Sequence, residues 1–167
     1  LLCYVSGKSH ETLIADRDKY ASASVSEEME QAVARILNEE PLAYVLGEWT
    51  FYGMDLHVDS NVLIPRDDTC AVTSLAIKKG LHLEQSPRIL DLCTGSGCIG
   101  LAVASRVKDA RVTLADLSSD ALNMAKKNAD LTFTFKDFAG TGYKATLKYE
   151  NGTPILKLDG GSNRIPL

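Results

Sequence analysis

The chain has 167 residues, 45% of them apolar and 24% charged, the composition of a soluble globular protein with room for one ordinary domain, or a small domain plus part of a larger one. Its net charge of −4 argues against broad electrostatic binding to nucleic acid or to an anionic membrane, and no apolar run approaches the roughly 20 residues of a membrane helix. Four cysteines, Cys3, Cys70, Cys93 and Cys98, are too few and too scattered for a disulfide framework, and no Cys or His cluster follows to complete a zinc site. Reduced thiols in a cytoplasmic protein are therefore expected, with no metal. The opening "LLCYVSGKSHET" has neither a signal-peptide layout nor an initiator Met, as expected of a chain that begins inside a longer protein.

Residues 1–47 read as a small helical unit. "SVSE", Ser24 to Glu27, is a capping-box pattern, and the segment after it places Met29, Val33, Ile36 and Leu37 on one packing face, with Pro41 as the stop. Over residues 48–66 the period changes: "WTFYGMDLHV" is aromatic-rich and partly alternating, as a hairpin would be. His57 lies there without a carboxylate or Cys at ligand spacing, which favours a structural role. Asp67, Asp68 and Thr69 suit a helix start, and Lys78-Lys79-Gly80 a helix end.

Residues 67–130 then follow a βαβα rhythm: "RILDL", a glycine loop, "CIGLAVASRV", "ARVTLAD", and "SSDALNMAKKN" with Ser118 or Ser119 as its cap. That alternation implies an α/β fold with a parallel, doubly wound sheet. Residues 131–167 are β-rich, with Asn151-Gly152 as a hairpin signal and Pro154 confined to a strand edge or beginning. An uncovered edge of so short a sheet would invite pairing with another chain, and hence a dimer, unless this tail covers it.

The chemistry concentrates in "DLCTGSGCIG", Asp91 to Gly100. A strand, a glycine turn and a helix start bring backbone N–H groups and the helix dipole to one end of a ligand, and Gly95 and Gly97 permit close approach. Asp116 ends the next strand, nineteen residues after Gly97, where an acid reaches the hydroxyls of an adenosine ribose. Gly95, Gly97 and Gly100 also fit a dinucleotide fingerprint. Asp91 discriminates between the cofactors: at the end of the first strand it can address the ammonium and sulfonium of S-adenosylmethionine, whereas it would repel a pyrophosphate.

"EPLAYVLGEWTFYGMDLHVDSNVLIPRDDT", "RILDLCTGSGCIGLAVA" and "VTLADLSSDALNMAKKN" together closely resemble the HemK/PrmC methyltransferases, over roughly residues 1–130. The resemblance implies a partial Rossmann-like methyltransferase domain preceded by a substrate-recognition unit and a hairpin linker. It further implies S-adenosylmethionine as cofactor, and transfer of a methyl group to the glutamine side-chain nitrogen of the Gly-Gly-Gln motif in peptide-chain release factors. Asp91, Cys93, Thr94, Gly95, Ser96 and Gly97 would then hold the methionine end, and Asp116 the ribose. Nucleic acid and membrane are not expected as direct partners.

The sequence departs from the family's pattern in places. Cys93 stands where the family usually has Gly, and "IPRDDTC" replaces "IPRPDTE" at Asp67 and Cys70. The Asn-Pro-Pro-Tyr motif that holds the acceptor amide does not occur in this sequence, so no catalytic residue is assigned. Asn128 and Asn151 are candidate amides without the flanking prolines. "FKDFAG" only faintly resembles the family's C-terminal strand. Two alternatives follow: a non-catalytic family fragment or fusion that binds cofactor or partner, and an NAD-dependent oxidoreductase resting on the glycine spacing alone.

Overall fold

The computed structural model describes residues 1–83, 86–134, 144–150 and 153–159. "FKDFAG" and the Asn151-Gly152 turn lie outside the described residues. The chain forms two compact units, Leu1–Gly47 and Glu48–Leu167.

The first unit holds four helices, α1 (Leu2–Ser6), α2 (His10–Ala15), α3 (Ala23–Leu37) and α4 (Leu42–Leu46). Ser9 caps α2 by accepting from the Thr12 N–H at 3.2 Å. The expected capping box at Ser24 is not the cap of α3. Ser22 accepts from the Val25 N–H, the helix starts at Ala23, and the Ser24 hydroxyl bonds Ser22 instead. Nor does Pro41 stop that helix, which ends at Leu37; Pro41 stands as the cap of α4.

The packing face of α3 also differs from expectation. Val25, Met29 and Ala32 form the stripe shielded from solvent, while Val33, Ile36 and Leu37 are exposed. Arg35 supplies the reason. Its guanidinium bonds both Glu40 carboxylate oxygens and the carbonyls of Tyr44 and Val45, fastening α4 on the Arg35 side and rotating the contact away from Val33 and Leu37.

The second unit opens with a hairpin, β1 (Glu48–Phe51) and β2 (Met54–His57), paired from Phe51↔Met54 to Glu48↔His57. Its two-residue turn has φ of 51° at Tyr52 and 74° at Gly53, the pair of positive values that a right-twisted hairpin favours. The Arg106 guanidinium stacks 4.5 Å from the Tyr52 ring centroid and donates to the Tyr52 carbonyl at 2.7 Å. The Tyr52 hydroxyl meets Ser74 Oγ at 3.0 Å, so the hairpin is tied to the two helices that follow.

Helix α5 (Asp68–Leu81) begins after Asp67, although no side chain caps it. The helix ends at Leu81, with the expected Lys78, Lys79 and Gly80 in its last turn; Gly80 is buried there, and an added Cβ would lie 2.9 Å from Val107 Cγ2. Its absent side chain lets α5 approach the end of α6 (Cys98–Arg106). Strands β3 (Arg88–Leu92) and β4 (Arg111–Ala115) pair in parallel around α6, and α7 (Ser119–Thr134) follows with Ser118 accepting from the Ala121 N–H.

The parallel run stops at two strands. β5 (Lys144–Glu150) and β6 (Thr153–Asp159) form an antiparallel pair, and β6 adds antiparallel to β4, giving the order β3-β4-β6-β5. Pro154 stands at the beginning of β6, one step beyond its register with β4, where its missing N–H breaks no bond to that strand. The tail thus occupies the far edge of β4. Among the described residues β3 remains an edge strand, with Leu90 and Leu92 exposed on one face. On the opposite face Val112 and Leu114 are buried and α6 packs against them, over a core that includes Leu56, Leu101 and Leu122. No helix among the described residues is long and apolar enough to cross a membrane.

Candidate functional site

The sheet and α6 place the glycine loop at the C-terminal end of β3, beside the end of β4. Thr94 extends the pairing of those strands by donating its N–H to the Ala115 carbonyl at 3.1 Å. Gly97 then closes a turn by donating to the Thr94 carbonyl at 2.9 Å, and α6 starts on it without a side-chain cap. Cys93, Gly95 and Gly97 have φ of 59°, 55° and 83°.

Asp91 organises the start of the loop. One carboxylate oxygen, Oδ2, accepts from Thr94 Oγ1 at 2.7 Å and from the Gly100 N–H at 2.9 Å, which puts a negative charge at the N-terminus of α6. Burial pushes the Asp91 carboxyl above its ordinary value; the bonds from Thr94 and Gly100 pull the other way, and the nearby Asp116 charge raises it again. Asp116 closes the loop from the β4 side. Its Oδ2 accepts from the Gly95 N–H at 2.8 Å and its Oδ1 from the Ser118 N–H at 3.0 Å.

The expected site residues are therefore neighbours, with Asp91 holding Thr94 and Gly100 and Asp116 holding Gly95 by hydrogen bonds. Thr94 and Ser96 are buried, Asp91, Gly95 and Asp116 are half-buried, and Cys93 is exposed. An added Cβ on Gly95 would meet nothing within 4 Å, so the space in front of it is open. Leu117, next to Asp116, is 96% exposed, an apolar surface at the mouth of the site that the sequence alone did not mark.

Cys98 is buried, and that burial raises its thiol pKa, so it behaves as a packed apolar group. Among the described residues no cluster of His, Cys, Asp and Glu could hold a metal. A cavity of about 430 Å³ lies elsewhere, between the hairpin and the end of α7, lined by residues including Asp55, His57 and Thr132 and by none of the loop residues.

Asn128 takes a different place from that expected of an acceptor-binding amide. Fully buried in α7, it spends both side-chain donors and its acceptor on the protein: Nδ2 on the carbonyls of Ser96 and His57, and Oδ1 on the His57 N–H. No donor remains for an incoming amide.

Cys93 is the strained member of the loop. A left-handed residue with a Cβ costs about 1 kcal/mol relative to glycine, and the exposed thiol loses little packing on removal. Cys93→Gly is expected to raise the melting temperature by roughly 2–4 °C, measured by circular dichroism. A variant that melts no higher than the parent would mean the strain is relieved elsewhere.

A parallel βαβ unit with a glycine turn after its first strand and an acid after its second is the frame of a Rossmann-like cofactor loop, and the match of residues 69–145 assigns it to the methyltransferases, a class that generally draws its methyl group from S-adenosylmethionine. Residues 69–145 match the methyltransferase small domain, and residues 1–47 match the PrmC N-terminal domain. The release factor glutamine methyltransferase of Chlorobaculum tepidum is 41% identical over 134 residues, covering 78% of this chain and 46% of that protein. That of Vibrio cholerae is 38% identical over 129 residues, covering 77% and 44%. A bifunctional methyltransferase of Rickettsia bellii is 32% identical over 154 residues, 77% of this chain and 28% of that protein. The chain thus joins a PrmC N-terminal domain to a methyltransferase small domain, in that order. It spans about half the length of the first two of these relatives.

Proposed function

We propose that the chain binds S-adenosylmethionine at residues 93–97 and serves methyl transfer to the glutamine side-chain nitrogen of the Gly-Gly-Gln motif in a cytoplasmic peptide-chain release factor. The observation that carries this reading is the meeting of two carboxylates, Asp91 and Asp116, at a glycine turn with open space before it. Their combined charge suits a cationic ligand and opposes a pyrophosphate, which counts against the oxidoreductase alternative. Bound there, the cofactor supplies a methyl group on a positively charged sulfur.

The residues divide that ligand among them. Asp91 Oδ1 carries no hydrogen bond among the described residues and is the oxygen left to hold the α-ammonium. Thr94 and Ser96 shape the loop, because the Thr94 N–H and carbonyl and the Ser96 carbonyl are bonded within the protein. Each Asp116 oxygen keeps a lone pair beyond the bond it already accepts, enough for the two ribose hydroxyls. Leu117 offers its apolar surface to the adenine. The helical unit of residues 1–47 and the hairpin that follows recognise the release factor.

A second reading has its own observation. An amide nitrogen is a poor nucleophile and must be oriented and polarised, yet this sequence has no Asn-Pro-Pro-Tyr and Asn128 is already spent. A chain with the cofactor half of the site alone would bind without transferring.

Incubation with methyl-labelled S-adenosylmethionine and a release factor, beside a Gln→Ala acceptor, separates the two. Label on the intact Gly-Gly-Gln acceptor alone is the expected result of the first reading. Cofactor binding without label, under conditions where a full-length relative works, leaves the second.

A further inference from the structure

Asn128 lies in the middle of α7, yet all three of its hydrogen bonds leave that helix. Oδ1 accepts from the His57 N–H at 2.7 Å, and Nδ2 donates to the His57 carbonyl at 3.0 Å and the Ser96 carbonyl at 2.9 Å. The side chain thus pairs with the last residue of β2 as a neighbouring strand would, and its remaining proton holds the middle of the glycine loop. The residue is wholly shielded from water, so no solvent molecule can replace these bonds when they break.

The loop has few other restraints on that side. Ser96 lies between two left-handed glycines, and an added Cβ on Gly97, whose φ is 83°, would crowd Ala125 Cβ and Leu101 Cδ1 at 3.2 Å. Fixing the Ser96 carbonyl orients the peptide that it shares with Gly97, and with it the start of α6.

We propose that Asn128 is a positioning residue that couples the β1–β2 hairpin to the cofactor loop, so that cofactor affinity depends on how the hairpin is seated. The proposal rests on the methyltransferase reading for the identity of the ligand, and on geometry alone for the coupling. The hairpin is also tied to α5 and α6 at its turn, through Ser74 and Arg106. Asn128 holds its opposite end. A partner that engages the hairpin would shift the Ser96 carbonyl through this clamp, and cofactor binding would in turn tighten the hairpin, because coupling is reciprocal.

The test compares the whole chain with Asn128→Ala at a temperature where both are folded by circular dichroism. S-adenosylmethionine affinity is measured by calorimetry, and amide exchange by NMR. Expected are affinity weakened about tenfold or more, and faster exchange at the His57 and Gly97 amides with β4 amides unchanged. Unchanged affinity in a variant that merely melts lower, or exchange that rises evenly through the unit, overturns the coupling and leaves Asn128 a core residue.

If the parent chain binds no S-adenosylmethionine, the methyltransferase reading falls while the exchange pattern still decides the clamp. Should Asn128→Ala not fold, the parent decides under graded denaturant. His57 and Gly97 amides that open in one step support the coupling, and amides that open separately overturn it.

Discussion

Gly100→Ala lowers the stability of the sheet-bearing unit by about 3 kcal/mol and its melting temperature by roughly 10 °C. Gly100 sits in the first turn of α6 where the helix crosses β3 and β4. A Cβ there would collide with Leu114 Cδ2 and lie 2.9 Å from Asp91 Oδ2. Leu114 is fully buried and has nowhere to retreat. Asp91 cannot move aside without releasing its bonds from the Gly100 N–H and Thr94 Oγ1. Against these costs, alanine gains up to about 1 kcal/mol over glycine in a helix, which reduces the loss without reversing it.

Gly95→Ala is the informative contrast, because its Cβ enters open space and the only penalty on folding is the left-handed φ of 55°. On the proposed function, the side chain would instead occupy the place of the ligand. Urea denaturation of both variants distinguishes the two glycines; equal midpoints would remove the packing argument for Gly100.

That contrast marks what the sequence could and could not disclose. Asp91, the three glycines and Asp116 are legible because strand, turn and helix set their relation within about 25 residues of chain. Local geometry fixes where an acid at the end of one parallel strand lies relative to the turn beside it. Roles that depend on distant partners are not written locally. Gly80 marks the helix end, but its contact with Val107 is not written locally, and the packed stripe of α3 follows from where Arg35 fastens α4. Asn128 reads as a candidate amide without the flanking prolines, and its actual partner His57 is 71 residues away. The parallel alternation was legible through β4, but nothing in the alternating pattern of the tail says that β6 pairs antiparallel with β4. Period-2 patterning names a strand without naming its neighbour.

Asp91→Asn is expected to stabilise the fold at neutral pH while weakening S-adenosylmethionine about 10–100-fold. Both hydrogen bonds that Asp91 accepts converge on Oδ2, so an asparagine Oδ1 can accept them from the same position. What the substitution removes is a desolvated charge and its repulsion with Asp116, the two influences that raise the Asp91 carboxyl. A raised carboxyl binds its proton more tightly in the folded chain than in the unfolded one. Stability therefore falls as pH rises from the ordinary carboxylate value through the raised one, and is level above it. In Asp91→Asn that segment of the pH–stability curve flattens.

Cofactor affinity runs in the opposite sense. In the parent chain it weakens as pH falls and Asp91 takes up its proton, because a neutral carboxyl no longer attracts the α-ammonium. In the variant it is weak throughout and indifferent to Asp91. Denaturation midpoints and calorimetric affinities measured over the same acidic range test both halves. A variant that is less stable at neutral pH, or that binds as tightly as the parent, would show that the Asp91 charge serves the loop's architecture and not its ligand.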